Sequence, residues 1–287
     1  MKLVSFAVDG ECGYGVVDDD VVIRLNHSKN APADLRSAIA KGVLNALAAD
    51  DGNARIPLAS VELLAPIPNP GKILCVATNF REPSLESKPE PSFPLVFTRF
   101  SDSVVGHGEP LRKSSLTQKY DFEGELAVII GRPGYKIERA HAMNHVAGYS
   151  CFNDGSVRDW QKHSTQFTPG KNFYKSGSMG PWLITADEVP NLNELTLQTR
   201  VNGVVKQSIG VGQMIFDIPW LIAYFSSFTP LNAGDIIATG TPSGFGSTRN
   251  PPEFLNDGDL VEVEINGVGL LRNTVRDEPA LSPASGK

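Results

Sequence analysis

Short apolar runs, each about the length of one β-strand, recur along most of this chain, with turn-forming residues between them. Beyond residue 70 such runs occur at residues 72–77, 95–98, 123–130, 182–185, 195–201, 235–239 and 260–265. Asn202-Gly203 and Asn266-Gly267 directly follow two of them and indicate hairpins, because a type I′ turn needs positive φ at both central residues. Helical spacing is confined to residues 33–49, 137–146, 157–162 and 214–228. The pattern predicts a mainly β protein of the α+β class.

A proline-rich run divides the chain. Pro66, Pro68 and Pro70 fall within five residues and are closed by Gly71, a combination that stops regular secondary structure. We therefore predict a small N-terminal α/β domain over residues 1–68, with a meander of short strands and a helix, and a larger domain over residues 69–287. Residues 81–93 are polar and rich in proline, which predicts a loop.

Composition excludes several classes of function. Hydrophobic residues make up 41% and charged residues 20%, as in a globular protein with a core. The net charge of −6 and the lack of a basic run argue against a nucleic-acid partner. Residues 1–9 lack the roughly 7–15-residue apolar stretch of a signal peptide, and no apolar segment approaches the roughly 18 residues that cross a membrane, so we expect neither a leader nor a membrane span. Three scattered cysteines form no disulfide framework. A soluble cytoplasmic protein is the expectation.

An acidic segment gives the strongest local signal for chemistry. In a β-strand, alternate side chains point to the same face, so Asp121, Glu123 and Glu125 would lie together beside the apolar run that follows. Three like charges repel, and a hard cation such as Mg²⁺, Mn²⁺ or Ca²⁺ would relieve that repulsion through oxygen ligands. A solvated acidic strand face is the alternative.

Three further segments carry weaker signals. Asp154 follows a predicted strand and is either a third carboxylate ligand or part of a helix N-cap. Arg158 and Gln161 are three residues apart and would share a helix face. Lys171 is either a site residue or a solvated surface lysine. The turn at residues 239–244 (TGTPSG) exposes backbone N–H groups that can cradle an anion, or it is simply a glycine-rich turn.

Taken in order, these segments resemble the fumarylacetoacetate hydrolase family over roughly residues 70–277. The segments are residues 79–80 (NF), 121–125 (DFEGE), 153–161 (NDGSVRDWQ), 170–173 (GKNF), 180–182 (GPW), 202–203 (NG) and 234–244 (GDIIATGTPSG). The resemblance is to the acylpyruvase and 2-hydroxyhepta-2,4-diene-1,7-dioate isomerase-like branch. It implies a mixed β-roll, a homodimer, and one Mg²⁺ or Mn²⁺ per subunit held by Glu123, Glu125 and Asp154.

The resemblance also implies roles for other residues. Lys171 corresponds to the family's lysine near the developing oxyanion. Arg158 and Gln161 would line the substrate pocket, and Gly240 and Thr241 would hold the substrate carboxylate. A 2-oxo acid would bind the cation, which acts as a Lewis acid and stabilises an enolate.

One departure from the family pattern concerns the base. The hydrolases carry a His–Glu pair on a lid that activates water, and here Glu86 is retained while Pro83 stands at the histidine position. Glu86 could act alone, or His107, with His163 as second choice, could replace the missing histidine. A third outcome is chemistry that needs no activated water, such as decarboxylation or keto–enol isomerisation.

The leading hypothesis is hydrolytic C–C cleavage of an acylpyruvate or related β-diketo acid, such as arises in aromatic-compound catabolism. The alternatives are a 2-oxo acid decarboxylase, a 2-hydroxy-dienoate isomerase, or a metal-binding pseudoenzyme that serves as a binding module. Arg99 is either a ligand for a second substrate carboxylate or carbonyl, or a structural ion-pair partner.

Overall fold

The computed structural model describes residues 1–27, 30–50, 52–81 and 89–278. Its N-terminal segment is an antiparallel meander in which the first four strands pair in sequence order, while the fifth pairs back onto the first. These strands are β1 (Lys2–Val8), β2 (Glu11–Asp18), β3 (Val21–Arg24), β4 (Arg55–Pro57) and β5 (Glu62–Leu63).

The helix predicted for residues 33–49 is broken into α1 (Leu35–Lys41) and α2 (Leu44–Ala48). Asp34 caps α1 by accepting from the Ser37 backbone N–H at 2.7 Å. Gly42 ends α1 in the left-handed conformation, with φ of 63°. The predicted apolar face nevertheless packs into one core cluster.

The rest of the chain is dominated by strands. They are β6 (Ile73–Val76), β7 (Val96–Arg99), β8 (Val104–Val105), β9 (Leu111–Lys113), β10 (Tyr120–Asp121), β11 (Gly124–Ile130), β12 (Val146–Asn153), β13 (Ser156–Val157), β14 (Gly177–Thr185), β15 (Thr196–Val201), β16 (Val204–Gly210), β17 (Ile236–Ala238), β18 (Leu260–Ile265) and β19 (Gly269–Asp277). The helices are α3 (Arg158–Gln161), α4 (Thr168–Lys171) and α5 (Ile218–Phe228). The predicted mainly β, α+β class is confirmed.

Most strands belong to two sheets. The larger runs β4-β3-β2-β1-β14-β12-β11-β17-β6-β7, and the smaller runs β16-β15-β18-β19-β9. The N-terminal meander joins the larger sheet through β1, which pairs with β14 at Lys2↔Ile184 and Leu3↔Leu183. The sheet therefore continues across the proline-rich run, and the division into domains at residue 68 stays a prediction.

Strand β11 explains why its sequence reads as an unbroken apolar run. Leu126, Val128 and Ile130 face one core cluster, which includes residues of α5 and of the smaller sheet. Ala127 and Ile129 face the other cluster, which includes residues of α1. A strand covered on both faces has no polar side, so its hydrophobic pattern does not alternate.

Several local predictions need correction. The segment predicted as a helix near residues 137–146 is a 3₁₀ helix, Arg139–His145, which leads directly into β12. The last predicted helix begins only at Ile218, because the Asp217 side chain caps it at the Trp220 backbone N–H. Asn202 and Gly203 both have positive φ, as predicted, whereas at the second hairpin only Gly267 does.

The loop predicted at residues 81–93 lies largely outside the described residues, since residues 82–88 are not among them. In the described part of the chain no helix has the length and apolarity to cross a bilayer.

Candidate metal centre and active site

Three buried carboxylates meet where β11 begins and β12 ends. Gly124, which lies between Glu123 and Glu125, pairs with Asn153, the residue before Asp154. This register places the three acids close together across the two strands. The Asp154 backbone N–H donates to the Glu123 carbonyl at 2.8 Å, which ties the two segments together. One ligand oxygen from each of the three acids lies within 4.8 Å of the others. The arrangement brings together the three predicted metal ligands.

The glycine between the two glutamates is required by packing. A Cβ on Gly124 would lie 1.9 Å from the Thr199 hydroxyl oxygen, well inside contact distance. The Gly124 backbone N–H donates to Gln207 Oε1 at 2.9 Å. The smaller sheet therefore fixes the backbone that carries both glutamates. Gln207 gave no signal in the sequence, because its partners are far away along the chain.

Asp121 does not share a strand face with the two glutamates, contrary to the sequence interpretation. Strand β10 ends at Asp121 and β11 begins only at Gly124, so the alternation is interrupted. The Asp121 carboxylate accepts from the backbone N–H groups of Gly246 at 2.7 Å and Ser247 at 2.8 Å. It also accepts from Arg158 Nε at 2.7 Å. Asp121 thus anchors a loop and an arginine.

Lys171 is buried at the centre of the acidic cluster. Its Nζ lies 2.7 Å from Glu123 Oε2 and 2.6 Å from Asp154 Oδ2. Burial alone would lower the pKa of Lys171, but the charges of Asp154 and Glu123 outweigh burial and raise this pKa above its ordinary value. The structure therefore places Lys171 as a charged group inside the site and not on the surface.

Arg158 and Gln161 lie one turn apart on α3, as their spacing predicts. Arg158 Nη1 lies 2.6 Å from Glu123 Oε1 and 3.0 Å from Gln161 Oε1. The guanidinium packs on the ring of Phe245 with 4.5 Å to the ring centre. Its Nη2 is buried and has no hydrogen-bond partner among the described residues. Arg158 therefore has a donor left for a bound molecule.

Arg99 is buried on the other side of Asp154. Its Nη1 donates to Asp154 Oδ1 at 2.6 Å and to the Gly155 carbonyl at 2.9 Å. Nη2 donates to the Ser103 carbonyl and to Ser176 Oγ, and Nε donates to Ser103 Oγ. Every guanidinium N–H is used within the protein. The ion-pair alternative describes Arg99, which has no donor left for a substrate.

The turn at residues 239–241 contacts the start of β11, which carries Glu125. Gly240 has φ of 100°, and a Cβ there would lie 2.4 Å from the Ala77 carbonyl oxygen, so only glycine fits. Its backbone N–H, predicted to hold a substrate carboxylate, donates instead to Glu125 Oε2 at 2.9 Å. The Thr241 hydroxyl donates to the Gly124 carbonyl at 2.9 Å. Both residues contact the ligand-bearing strand.

Asn79 holds this turn in place. Its Nδ2 donates to the Thr239 carbonyl at 2.7 Å, and its Oδ1 accepts from the Phe216 backbone N–H at 2.8 Å. The side chain therefore connects the turn to the segment that precedes α5. The Asn-Phe motif in the sequence marked this position but gave no indication of its structural role.

The residues present fit a divalent cation. Glu125 Oε1 is buried without a partner among the described residues, and burial together with Asp154 and Glu123 raises the pKa of Glu125 well above its ordinary value. Counting Asp121, this described cluster has four buried carboxyl groups against the three cations Arg99, Arg158 and Lys171, so one negative charge has no partner when all four are ionised, and the raised pKa of Glu125 favours its neutral form as long as no cation is bound. Carboxylate oxygens are the ligands that Mg²⁺ and Mn²⁺ prefer.

Neither of the two candidate histidines lies at this cluster. His107 accepts at Nδ1 from the Arg272 backbone N–H at 3.3 Å and lines a cleft of about 1120 Å³ beside Leu64 and Trp182, away from the three acids. This position gives no support to His107 as a replacement for the lid histidine. His163 is exposed and packs on Trp160. Glu86 and Pro83 lie outside the described residues.

Two family models match the chain. The one described as fumarylacetoacetate (FAA) hydrolase C-terminal matches residues 72–276, and the one described as Rv2993c-like, N-terminal matches residues 1–66. Oxaloacetate tautomerase fahd2, mitochondrial, of Xenopus laevis is 38% identical over 96% of this chain and 90% of its own length. Oxaloacetate tautomerase YisK of Bacillus subtilis is 42% identical over 78% of this chain and 76% of its own length.

Solved structures match over nearly the whole chain. Fumarylacetoacetate hydrolase from Exiguobacterium antarcticum superposes with a TM-score of 0.87 at 34% identity, covering 97% of this chain and 100% of that one. Maleylpyruvate hydrolase from Sphingobium sp. SYK-6, in complex with manganese(II) ion and pyruvate, has a TM-score of 0.81 at 29% identity and the same coverage. The similar proteins are thus named as tautomerases and hydrolases.

Proposed function

Because the chain belongs to the fumarylacetoacetate hydrolase family, whose similar members are enzymes, we propose that it catalyses keto–enol tautomerisation of a small 2-oxo dicarboxylic acid such as oxaloacetate. One observation carries the choice. The described residues bring Lys171 and Arg158 to the carboxylates but bring no histidine to them. Tautomerisation moves a proton between C3 and the C2 oxygen and needs no activated water.

The proposed cofactor is one Mg²⁺ or Mn²⁺ held by Glu123, Glu125 and Asp154. Its support is the oxygen donor set, the unpartnered Glu125 Oε1 within the described chain and the manganese complex of the similar hydrolase. Bound there, the cation would supply Lewis-acid stabilisation of negative charge on the 2-oxo oxygen.

The chain's own residues then bind and orient the acid. Lys171 Nζ offers a charged donor beside Glu123 and Asp154, where it can hold a proton near the C2 oxygen. Arg158 Nη2, which has no partner in the described part of the protein, is available to bind a substrate carboxylate. Phe245 covers the Arg158 guanidinium and excludes water from that side. Glu86, predicted from the sequence as a base that activates water, is proposed here as the group that exchanges the proton at C3.

Charge favours an anionic substrate. The described cluster has one uncompensated negative charge, so a divalent cation would leave it with one net positive charge. An anionic 2-oxo acid brings the balance back to within about one charge of zero, and buried charges are stable only when they are compensated in this way.

Hydrolysis, the leading hypothesis from the sequence, is the second candidate. It is favoured by the similarity to a hydrolase in complex with manganese(II) ion and pyruvate, since pyruvate is itself a 2-oxo acid. Decarboxylation would use the same cation and the same half of the substrate. The binding-module alternative is weakened because the similar proteins carry enzyme names. The homodimer, the cytoplasmic location and a role in aromatic-compound catabolism stay predictions.

The test is run with Mn²⁺ or Mg²⁺ and distinguishes three reactions: tautomerisation, decarboxylation and hydrolysis. Enol-oxaloacetate is mixed with enzyme, and its disappearance is followed by ultraviolet absorbance against a control with buffer and metal only. We expect the enzyme with metal to accelerate the disappearance of the enol beyond the control, without releasing more CO₂ than the control does. Acetylpyruvate is tested in parallel for acetate and pyruvate by mass spectrometry. Acceleration no greater than the metal control would contradict tautomerisation, while acetate and pyruvate alone would establish the hydrolase.

A further inference from the structure

We propose that Arg99 is a positioning residue that sets the affinity of the centre for its cation by fixing the orientation of the Asp154 carboxylate. This inference rests on the metal centre of the proposed function. Arg99 belongs to β7, and within the described chain its hydrogen bonds reach neither Glu123 nor Glu125, so it would act through Asp154 alone.

The geometry of the guanidinium explains how Arg99 would do this. Nη1 bridges Asp154 Oδ1 and the carbonyl of Gly155, so it holds the carboxylate relative to its own backbone. Nη2 and Nε are held in turn by Ser103 and Ser176. Arg99 and Asp154 side chains are both fully buried, at 0% exposure. These contacts fix the Arg99 guanidinium in one position, and Asp154 Oδ1 is hydrogen-bonded to it.

The consequence lies in the other carboxylate oxygen. With Oδ1 taken by Arg99, Oδ2 lies 2.6 Å from Lys171 Nζ, which also lies 2.7 Å from Glu123 Oε2, so Oδ2 is the oxygen on the side of Glu123. A carboxylate free to rotate would lose conformational entropy when it ligates. One that is already oriented does not, and partners of this kind are typically worth about 10–100-fold in metal affinity.

Arg99 could affect the affinity for the cation through its charge or through the orientation it gives the Asp154 carboxylate, and the two predict different results. The positive charge of Arg99 repels a cation, so by Coulomb's law alone removing that charge would tighten metal binding. Arg99→Lys keeps the charge but loses the planar fork, because an ammonium on a flexible chain cannot replace five fixed N–H donors. Weaker binding in Arg99→Lys would therefore report lost orientation and not lost charge.

The experiment titrates the metal-free protein with Mn²⁺ and measures free Mn²⁺ by electron paramagnetic resonance. Wild type, Arg99→Lys and Arg200→Lys are compared, with thermal unfolding of each as the folding check. Arg200 is the matched control, since its guanidinium also pairs with carboxylates but on the smaller sheet, away from the centre. We expect Arg99→Lys to bind Mn²⁺ about 10–100-fold more weakly and Arg200→Lys to bind it like wild type.

Each outcome decides a different question. No Mn²⁺ binding by wild type would overturn the proposed metal centre itself. Wild-type binding with equal or tighter binding by Arg99→Lys would overturn only the role of Arg99. If Arg99→Lys does not fold, Ser176→Ala removes one arm that holds Nη2. Weaker Mn²⁺ binding by Ser176→Ala supports the proposal, and unchanged binding with lowered stability makes Arg99 a purely structural residue.

Discussion

Two groups of arginine–carboxylate pairs in this protein are alike in chemistry and different in environment. On the smaller sheet, Arg200 pairs with Glu262 and Glu264, and Arg272 pairs with Glu262. Arg272 and Glu264 are about half exposed, with side-chain exposures of 54% and 44%. Each charge of this group has an oppositely charged partner, and although the Glu262 side chain is only 9% exposed, its partner Arg272 reaches water. Such pairs contribute at most about 1 kcal/mol to stability.

The acidic centre differs because its charges are buried and do not balance. Arg99 and Asp154 are wholly inaccessible, Glu125 Oε1 has no partner among the described residues, and that cluster has one carboxyl group more than it has cations. Water cannot compensate that excess. The comparison shows that ion pairs alone do not mark a functional site, whereas buried charge without compensation does. We expect mutations to separate the two groups clearly.

The largest effect is expected for Glu125→Gln. The new amide side chain would keep an oxygen for the Gly240 backbone N–H but would lose the charge that attracts a cation. Mn²⁺ affinity and turnover should fall by more than roughly 100-fold, since a direct ligand matters more than a supporting partner. The unfolding temperature of the metal-free variant should rise at neutral pH, because the buried Glu125 carboxyl, with its raised pKa, must take up a proton on folding or stay charged without a partner, and the amide does neither.

Electron paramagnetic resonance with Mn²⁺ and thermal unfolding in a chelator measure the two effects of Glu125→Gln separately. Glu262→Gln on the smaller sheet is the matched control and should bind Mn²⁺ like wild type. Normal Mn²⁺ affinity in Glu125→Gln would remove this residue from the ligand set and would end the contrast between the groups.

A second prediction concerns Lys171→Met. The substitution keeps the length of the buried side chain but leaves Glu123 and Asp154 facing each other without the ammonium. Breaking a buried pair in this way costs about 3–5 kcal/mol of unfolding free energy. Arg272→Met, on the half-exposed pair, should cost under about 1 kcal/mol. Urea unfolding of both variants measures the difference, and equal losses would show that burial does not distinguish the groups.

The sequence located this difference only in part. The carboxylates Glu123, Glu125 and Asp154 were predictable because their spacing follows a familiar motif. Lys171 was placed at the site by the family resemblance alone, since a lone lysine in a polar segment has no periodic signal, and its contacts with Glu123 and Asp154 did not follow from the sequence. Asp121 was misplaced because strand alternation was assumed through a break at residues 122–123, and Gly240 because a turn's N–H groups do not reveal their partner.

The fold shows the same limit. The seven apolar runs beyond residue 70 all correspond to strands, and the two Asn-Gly turns indicated the hairpin partners β16 and β19. The two- and three-residue strands β8, β9, β10 and β13 gave no apolar run, but the class was predicted correctly. The pairing of β1 with β14, which joins the N-terminal meander to the larger sheet, could not be predicted. Such long-range pairings depend on packing between segments almost 180 residues apart, whereas a sequence pattern reports on neighbours along the chain.

Bound metal should stabilise the folded protein, and this stabilisation should depend on the carboxylates of the buried acidic centre and not on those of the smaller sheet. A ligand that binds only the folded state at 100 times its dissociation constant adds about 2.7 kcal/mol to the unfolding free energy. We expect Mn²⁺ to raise the unfolding temperature of wild type and of Glu262→Gln, and to leave Glu125→Gln unchanged. Differential scanning calorimetry with Mn²⁺ or chelator tests this. A metal-dependent rise in Glu125→Gln equal to that in wild type would place the stabilising ion elsewhere.

The smallest effect concerns the pH dependence of the exposed group. Burial raises the pKa of Glu262, but hydrogen bonds from Arg272 and Arg200 outweigh burial and hold this pKa below its ordinary value of 4.5. A carboxyl with a lowered pKa binds fewer protons when folded, so its stabilisation is present above that ordinary value and is lost as the pH falls through the folded pKa.

Wild type should therefore be more stable than Glu262→Gln at pH 7, by under about 1 kcal/mol. The difference should shrink as the pH falls below 4.5 and should shrink at high salt too, because the partner Arg272 is about half exposed and its charge is screened. Urea unfolding of both proteins at several pH values measures it. A difference that persisted in acid would mean that Glu262 stabilises the sheet by packing and not by charge, and the contrast with the buried centre would then rest on Arg200 and Glu264 alone.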